Sequence, residues 1–230
     1  MIGVFDSGVG GFNSLHHLRR LLPMADIVYL ADRENAPYGT KGEDDLVFLA
    51  ERCIDRLRQR GADKILIACC TASTVWDKLG EAQRRISIPI IPPVADALEG
   101  VSDRVLVIAT ERTVASGAFG SVIRERYPSS MVVEAPMQSL VSAVERGARN
   151  GNMAEATRDE ILSVRALAEK HRPGALVLGC THFSSVANLI SKACPGVRII
   201  SPAELGARAL AGEVIASGKN IREQGRLIYM

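Results

Sequence analysis

Short apolar runs recur along this chain, separated by longer stretches whose apolar positions return every three or four residues. The runs are Ile2–Phe5, Ile27–Leu30, Lys64–Ile67, Ile88–Ile91, Arg104–Ile108, Met131–Ala135, Ala175–Leu178 and Val197–Ile200. Most are continuously apolar rather than alternating. That is the pattern of parallel strands covered on both faces. The intervening stretches predict helices at Gly11–Leu22, Glu43–Arg60, Thr71–Arg84, Val114–Tyr127, Leu140–Arg149, Met153–Lys170, Ser184–Lys192 and Ala203–Ser217. Strand and helix alternate, so the predicted class is α/β.

Pro89, Pro92 and Pro93 interrupt the chain after the fourth run, and Gly100 precedes a fresh one. A crossing between domains is expected near residues 92–100. The first α/β domain then spans residues 1–95 and the second 96–202. The amphipathic tail, 203–230, is expected to pack back on the first. The halves also echo one another. Ile65-Leu66-Ile67-Ala68-Cys69 matches Leu176-Val177-Leu178-Gly179-Cys180: an apolar run, a small residue, a cysteine, then a threonine and a helix. Two similar α/β domains with mainly parallel sheets would face each other, with ligand bound in the cleft outside the carboxyl ends of the strands.

Composition narrows the partners. The chain has 230 residues, 47% hydrophobic and 23% charged, with a net charge of +2. That charge is too mild to imply nucleic acid or an anionic membrane. No apolar stretch approaches the roughly 18–20 residues of a membrane span, and the opening apolar run is too short for a signal peptide. Five cysteines without framework spacing point to a reducing compartment. The expectation is a cytoplasmic protein with a small-molecule partner, no nucleic acid and no membrane.

Cys69 and Cys180 are the first candidates for chemistry. A thiol can act as acid or base according to its local field, and a helix start beside it favours the thiolate. A single cysteine on an apolar strand is more often a small buried hydrophobe. Two in matching places of matching halves are different: they put one base on each face of a carbon acid. Asp6-Ser7-Gly8-Val9-Gly10-Gly11 follows a strand and opens a helix, but Asn13 stands where a dinucleotide fingerprint has its last glycine. The loop suits a small carboxylate better, with Asp6 either in the cleft or capping the helix. Ala36-Pro37-Tyr38-Gly39-Thr40 is a turn from which Tyr38 reaches a ligand or packs inward. His182 follows Cys180 closely enough to tune it. A metal site from Cys69, Cys70, Cys180 and His182 is disfavoured, since no Cys-x-x-Cys pair is present.

Four motifs in this order, Asp6–Gly11, Ala36–Thr40, Ala68–Ser73 and Leu178–Phe183, resemble those of the aspartate/glutamate racemase family, its glutamate racemases above all. The likeness runs over nearly the whole chain. It implies two α/β domains with the active site between them, interconverting L- and D-glutamate for peptidoglycan without pyridoxal phosphate or metal. Cys69 and Cys180 match the proton-transfer pair, Cys180 acting on the L-isomer and Cys69 on the D-isomer. Asp6 and His182 match the groups assisting them, and Glu145 a further assisting carboxylate. Ser7, Pro37, Tyr38, Gly39, Thr71 and Thr181 match substrate contacts; Thr110 and Thr113 lie where the family has a threonine-rich loop. Cys70 holds the place of the family's usual substrate-binding Asn. Ala109 and Phe119 replace its usual glycine and tyrosine, and the segment at Ile91–Asp96 lacks its glutamate-proline pair. The family often forms homodimers, so one is expected here. The alternatives are a racemase of aspartate or a related substrate, and a binding or regulatory protein on the same scaffold.

Overall fold

The computed structural model describes residues 1–101, 103–218 and 225–230. Its strands are β1 (Ile2–Asp6), β2 (Ile27–Ala31), β3 (Lys64–Ile67), β4 (Ser87–Pro89), β5 (Arg104–Ala109), β6 (Met131–Pro136), β7 (Ala175–Gly179), β8 (Arg198–Ile200) and β9 (Leu227–Tyr229). They form two sheets, ordered β4-β3-β1-β2-β9 and β6-β5-β7-β8, and every neighbouring pair is parallel. Adding four to each strand number turns β4-β3-β1-β2 into β8-β7-β5-β6, so the echo between the halves is a repeat of topology. The central strands β1 and β7 are buried along their whole length, which explains their unbroken apolar sequence.

The longer helices are α1 (Phe12–Leu21), α2 (Glu43–Gln59), α8 (Gln138–Asn150), α10 (Arg158–His171) and α12 (Pro202–Ala216). Three predicted helices are broken. Thr71–Arg84 resolves into α3 (Cys70–Ser73), a 3-10 turn at Trp76–Lys78 and α4 (Glu81–Arg84). Here the Ser73 hydroxyl donates to the Ile67 carbonyl and the Thr74 hydroxyl to that of Thr71, a local alternative to continued helix. α5 (Pro93–Asp96) follows. Val114–Tyr127 splits into α6 (Glu111–Ser116) and α7 (Ala118–Arg126) at Gly117, whose φ of 63° is left-handed. Met153–Lys170 splits at buried Thr157, which separates α9 (Met153–Ala156) from α10 and whose hydroxyl donates to the Met153 carbonyl. Ser184–Lys192 begins as a 3-10 turn (Thr181–Val186) and continues as α11 (Ala187–Ala193). β9 was not foreseen: three residues at a sheet edge carry too little pattern.

Packing follows three apolar layers. One outer layer lies under α2, with Phe5, Leu30, Ile54, Leu57 and Ile67; the other lies under α8 and α10, with Leu106, Ile108, Leu140, Val164 and Leu178. Between the sheets a continuous cluster runs from Val4 and Leu66 through Ile90, Phe119 and Leu210 to Val107 and Val177. α12 supplies Ala207, Leu210, Ala211 and Val214 to it and packs chiefly on α1. Among the described residues no helix is long and apolar enough to cross a membrane.

Leu210 is fully buried in the shared cluster. Leu210→Ala is expected to cost about 2–5 kcal/mol, read as a lowered urea midpoint with one cooperative transition. Two separated transitions would show that the sheets do not share a core.

Candidate active site

Parallel neighbours bring the relevant loops together. β1 and β3 are adjacent in one sheet, β5 and β7 in the other. Phe5 pairs with Ile67, and two residues further along each strand lie Ser7 and Cys69. Ala109 pairs with Gly179, and one residue further lie Thr110 and Cys180. Each thiol thus leaves its sheet level with a hydroxyl residue. Both thiols, with Cys70, line one small cavity of about 40 Å³. Pockets for drug-sized ligands run to roughly 300–1,000 Å³, so this one suits a small, compact ligand. Ser7, Gly8, Ala36, Pro37, Tyr38, Gly39, Thr71, Thr110, Gln138, Val141, Glu145, Thr181 and His182 complete its wall.

Asp6 is fully buried. One carboxylate oxygen accepts from the Gly8 N–H at 3.0 Å, the other from the Thr181 hydroxyl at 3.2 Å. It therefore ties the first glycine loop to the loop of Cys180. It does not cap α1, which starts at Phe12 after Gly11 and has no side-chain cap. The loops also touch directly. A Cβ on Gly10 would lie 2.3 Å from the Thr181 hydroxyl oxygen and 3.0 Å from the His182 nitrogen. Asn13 bridges the same gap, donating to the carbonyls of Gly10 and Thr181 at 3.1 and 3.3 Å.

The Cys69 thiol donates to the Ser7 hydroxyl at 3.6 Å. Cys180 Sγ lies 3.7 Å from His182 Nδ1, and His182 Nε2 lies 3.5 Å from a carboxylate oxygen of Glu145. The latter pair is in ion-pair range but makes no hydrogen bond. Glu145 is half exposed, while the imidazole is buried. Thr71, Thr110 and Thr113 form a triangle of hydroxyls with sides of 2.8–3.1 Å. Thr113 is not among the cavity-lining residues; it supports the other two from behind. The Tyr38 ring lines the cavity, but its hydroxyl donates to Asp32 at 2.6 Å.

Burial governs the thiols. It pushes Cys69 up to about 11, helped by the negative charge of Asp6 and opposed by backbone N–H groups and Ser7. Burial likewise raises Cys180, with the charges of Cys69 and Asp6 adding, and raises Cys70, with those of Cys180 and Cys69 adding. The helix start beside the cysteine favours the thiolate only weakly, since α3 is four residues long, and desolvation outweighs it. At neutral pH all three are thiols.

Gln138 and Val141 escaped the sequence reading. They lie seven and four residues before Glu145 on α8, the spacing of one helical face. The period counted back from Glu145 would have found them.

Fold and site define an α/β protein in which each of two related sheets delivers a thiol to one small cavity. The sequence model described as Asp/Glu/Hydantoin racemase matches residues 14–210. A glutamate racemase of Herpetosiphon aurantiacus is 36% identical over 210 residues, covering 90% of this chain and 82% of that protein. The crystal structure of a glutamate racemase isoform from Bacillus anthracis has a TM-score of 0.88 at 27% identity, covering 100% of this chain and 86% of that one. That of the Francisella tularensis glutamate racemase in complex with D-glutamate has a TM-score of 0.87 at 28% identity, covering 99% and 86%. The chain belongs to the Asp/Glu/hydantoin racemase family.

The raised Cys69 thiol gives stability a defined pH dependence. The unfolded chain releases that proton near roughly pH 8.5; the folded protein holds it to about 11. Between those values the folded state binds more protons, so this contribution is complete below the unfolded value and is lost as pH rises through the folded one. Tm measured from pH 8 to 11 is expected to fall more steeply for the parent than for Cys69→Ala. Equal slopes would remove Cys69 as a source.

Proposed function

We propose that this protein is an amino-acid racemase, an isomerase that interconverts L- and D-glutamate by proton transfer between two cysteines. The observation carrying this reading is that equivalent ends of β3 and β7 deliver Cys69 and Cys180 to one small cavity. A racemase works on a carbon acid from both faces, and a repeat of topology supplies two bases related by symmetry. The reading requires no cofactor and no metal.

Both thiols rest protonated, so substrate binding must create the base. The ammonium of a bound amino acid favours thiolate by opposite charge. On the Cys180 side His182 takes the thiol proton, and Glu145 favours the imidazolium that results. Cys180 then removes the α-proton of the L-isomer, and the Cys69 thiol returns a proton to the opposite face. The D-isomer runs the same steps in reverse, with Asp6 assisting Cys69. The thiols and their threonine neighbours are buried, so fixed donors act strongly on the developing carbanion. Ser7, Thr71, Thr110 and Thr181 hold the substrate with Cys70 and the 37–39 turn, Thr113 acting through its two partners.

Residues 1–95 with 203–230, and 96–202, are read as the two domains; 219–224 lie outside the described residues. The protein is read as a cytoplasmic homodimer supplying D-glutamate for peptidoglycan. A second reading, aspartate as the substrate, is favoured by the small cavity. Retention of both thiols with Asp6, His182 and Glu145 speaks against a purely binding role.

Proton NMR in D2O with L-glutamate, and separately L-aspartate, tests this. Deuterium at the α-carbon together with optical inversion is expected. Cys69→Ser and Cys180→Ser should each slow racemisation by about 10²–10⁴-fold. Either variant working at the parent rate rules out the two-thiol scheme.

A further inference from the structure

We infer that Gln138 determines substrate specificity, its carboxamide donating to the terminal carboxylate of the substrate side chain. This rests on the racemase reading and names the part of the ligand that the reading leaves unassigned. Gln138 is the first residue of α8 and lines the cavity. Its Oε1 is buried and has no hydrogen-bond partner. Unpaired buried acceptors are rare in native proteins, and each calls for an explanation.

Position and charge say which group it meets. Among the described residues, no Lys or Arg lines the cavity, so an acidic substrate must be held by neutral donors. The acidic group in the lining, Glu145, suits the ammonium, while Asp6 lies behind the wall with its carboxylate held by Gly8 and Thr181. Thr71 and Thr181 adjoin the lining cysteines in sequence and so lie near the reacting carbon and its α-carboxylate. Gln138 neither adjoins nor hydrogen-bonds a cysteine. Its head packs on the turn at Gly39 instead, where a Cβ would lie 2.7 Å from Oε1 and 2.9 Å from Cβ of Thr110. That places it beside the 37–39 turn and Thr110 rather than on either cysteine loop. A carboxamide carries two N–H donors at one end and an acceptor at the other, and a half-turn of its last torsion exchanges them. Presenting the amino end gives a side-chain carboxylate a strong neutral donor.

The test compares Gln138→Leu and Gln138→Glu with the parent, all checked for native circular dichroism. Binding of L-glutamate and of L-norvaline, which has an equally long side chain without the carboxylate, is measured by calorimetry. Loss of a hydrogen bond to a charged group predicts glutamate binding weaker by about tenfold to a hundredfold in Gln138→Leu, with norvaline unchanged. Gln138→Glu should weaken glutamate further, by setting carboxylate against carboxylate. Tighter glutamate binding in Gln138→Glu would show that the residue faces the ammonium. Equal losses for both ligands would show a structural role, and a parent that does not bind glutamate overturns the inference outright. A parent that binds glutamate without exchanging its α-proton breaks the racemase reading alone, and the binding ratios still decide the role of Gln138.

Discussion

Two sheets can share one ligand cavity only if the loops leaving their strands come into van der Waals contact. Much of the site follows from that constraint. Gly10 has no room for a Cβ because the backbone and hydroxyl of the Thr181–His182 turn occupy it. Asp6 at the end of β1 and Asn13 at the start of α1 close the remaining gap with hydrogen bonds to Thr181. The apolar cluster around Leu66, Leu210 and Val177 fixes the sheets behind them. It sets the distance, and the loops set the fit.

The same closeness decides the electrostatics. The packing that brings the loops together also desolvates the thiols, and they respond by keeping their protons. Asp6 adds to the effect on Cys69 rather than relieving it. A buried acid–base pair of this kind is quiet without ligand. On the proposed mechanism the charge that switches it on arrives with the substrate, and the imidazole between Cys180 and Glu145 is the protein's own route for the displaced proton.

The sheets were largely legible in the sequence. Continuous apolar runs separated by amphipathic stretches marked eight of the nine strands among the described residues, since strands buried on both faces leave no alternation to confuse the reading. Helix continuity was less legible. The breaks at Gly117 and Thr157 depend on a backbone angle and on one hydroxyl turning back to a carbonyl, which periodicity does not report. The lining cysteines were found because the halves repeat one another. Gln138 and Asn13 were missed as site residues because a carboxamide carries no signature of its own. The balance of fields on Cys69 was not legible, because a local helix start shows in the sequence and the burial around the thiol does not.

The repeat also explains what differs between the halves. Strands β1 and β5 are topological equivalents, yet the residue before Ser7 is Asp6, whereas the residue before Thr110 is Ala109. A second carboxylate there would lie in the same buried region as Asp6, and like charges that close disfavour both ionised forms. The second half instead places its acid on α8, at half-exposed Glu145, and reaches the thiol through an imidazole. Symmetry in the fold therefore supplies paired thiols for mirror-image ligands. Asymmetry in the supporting groups keeps two negative charges from being buried side by side.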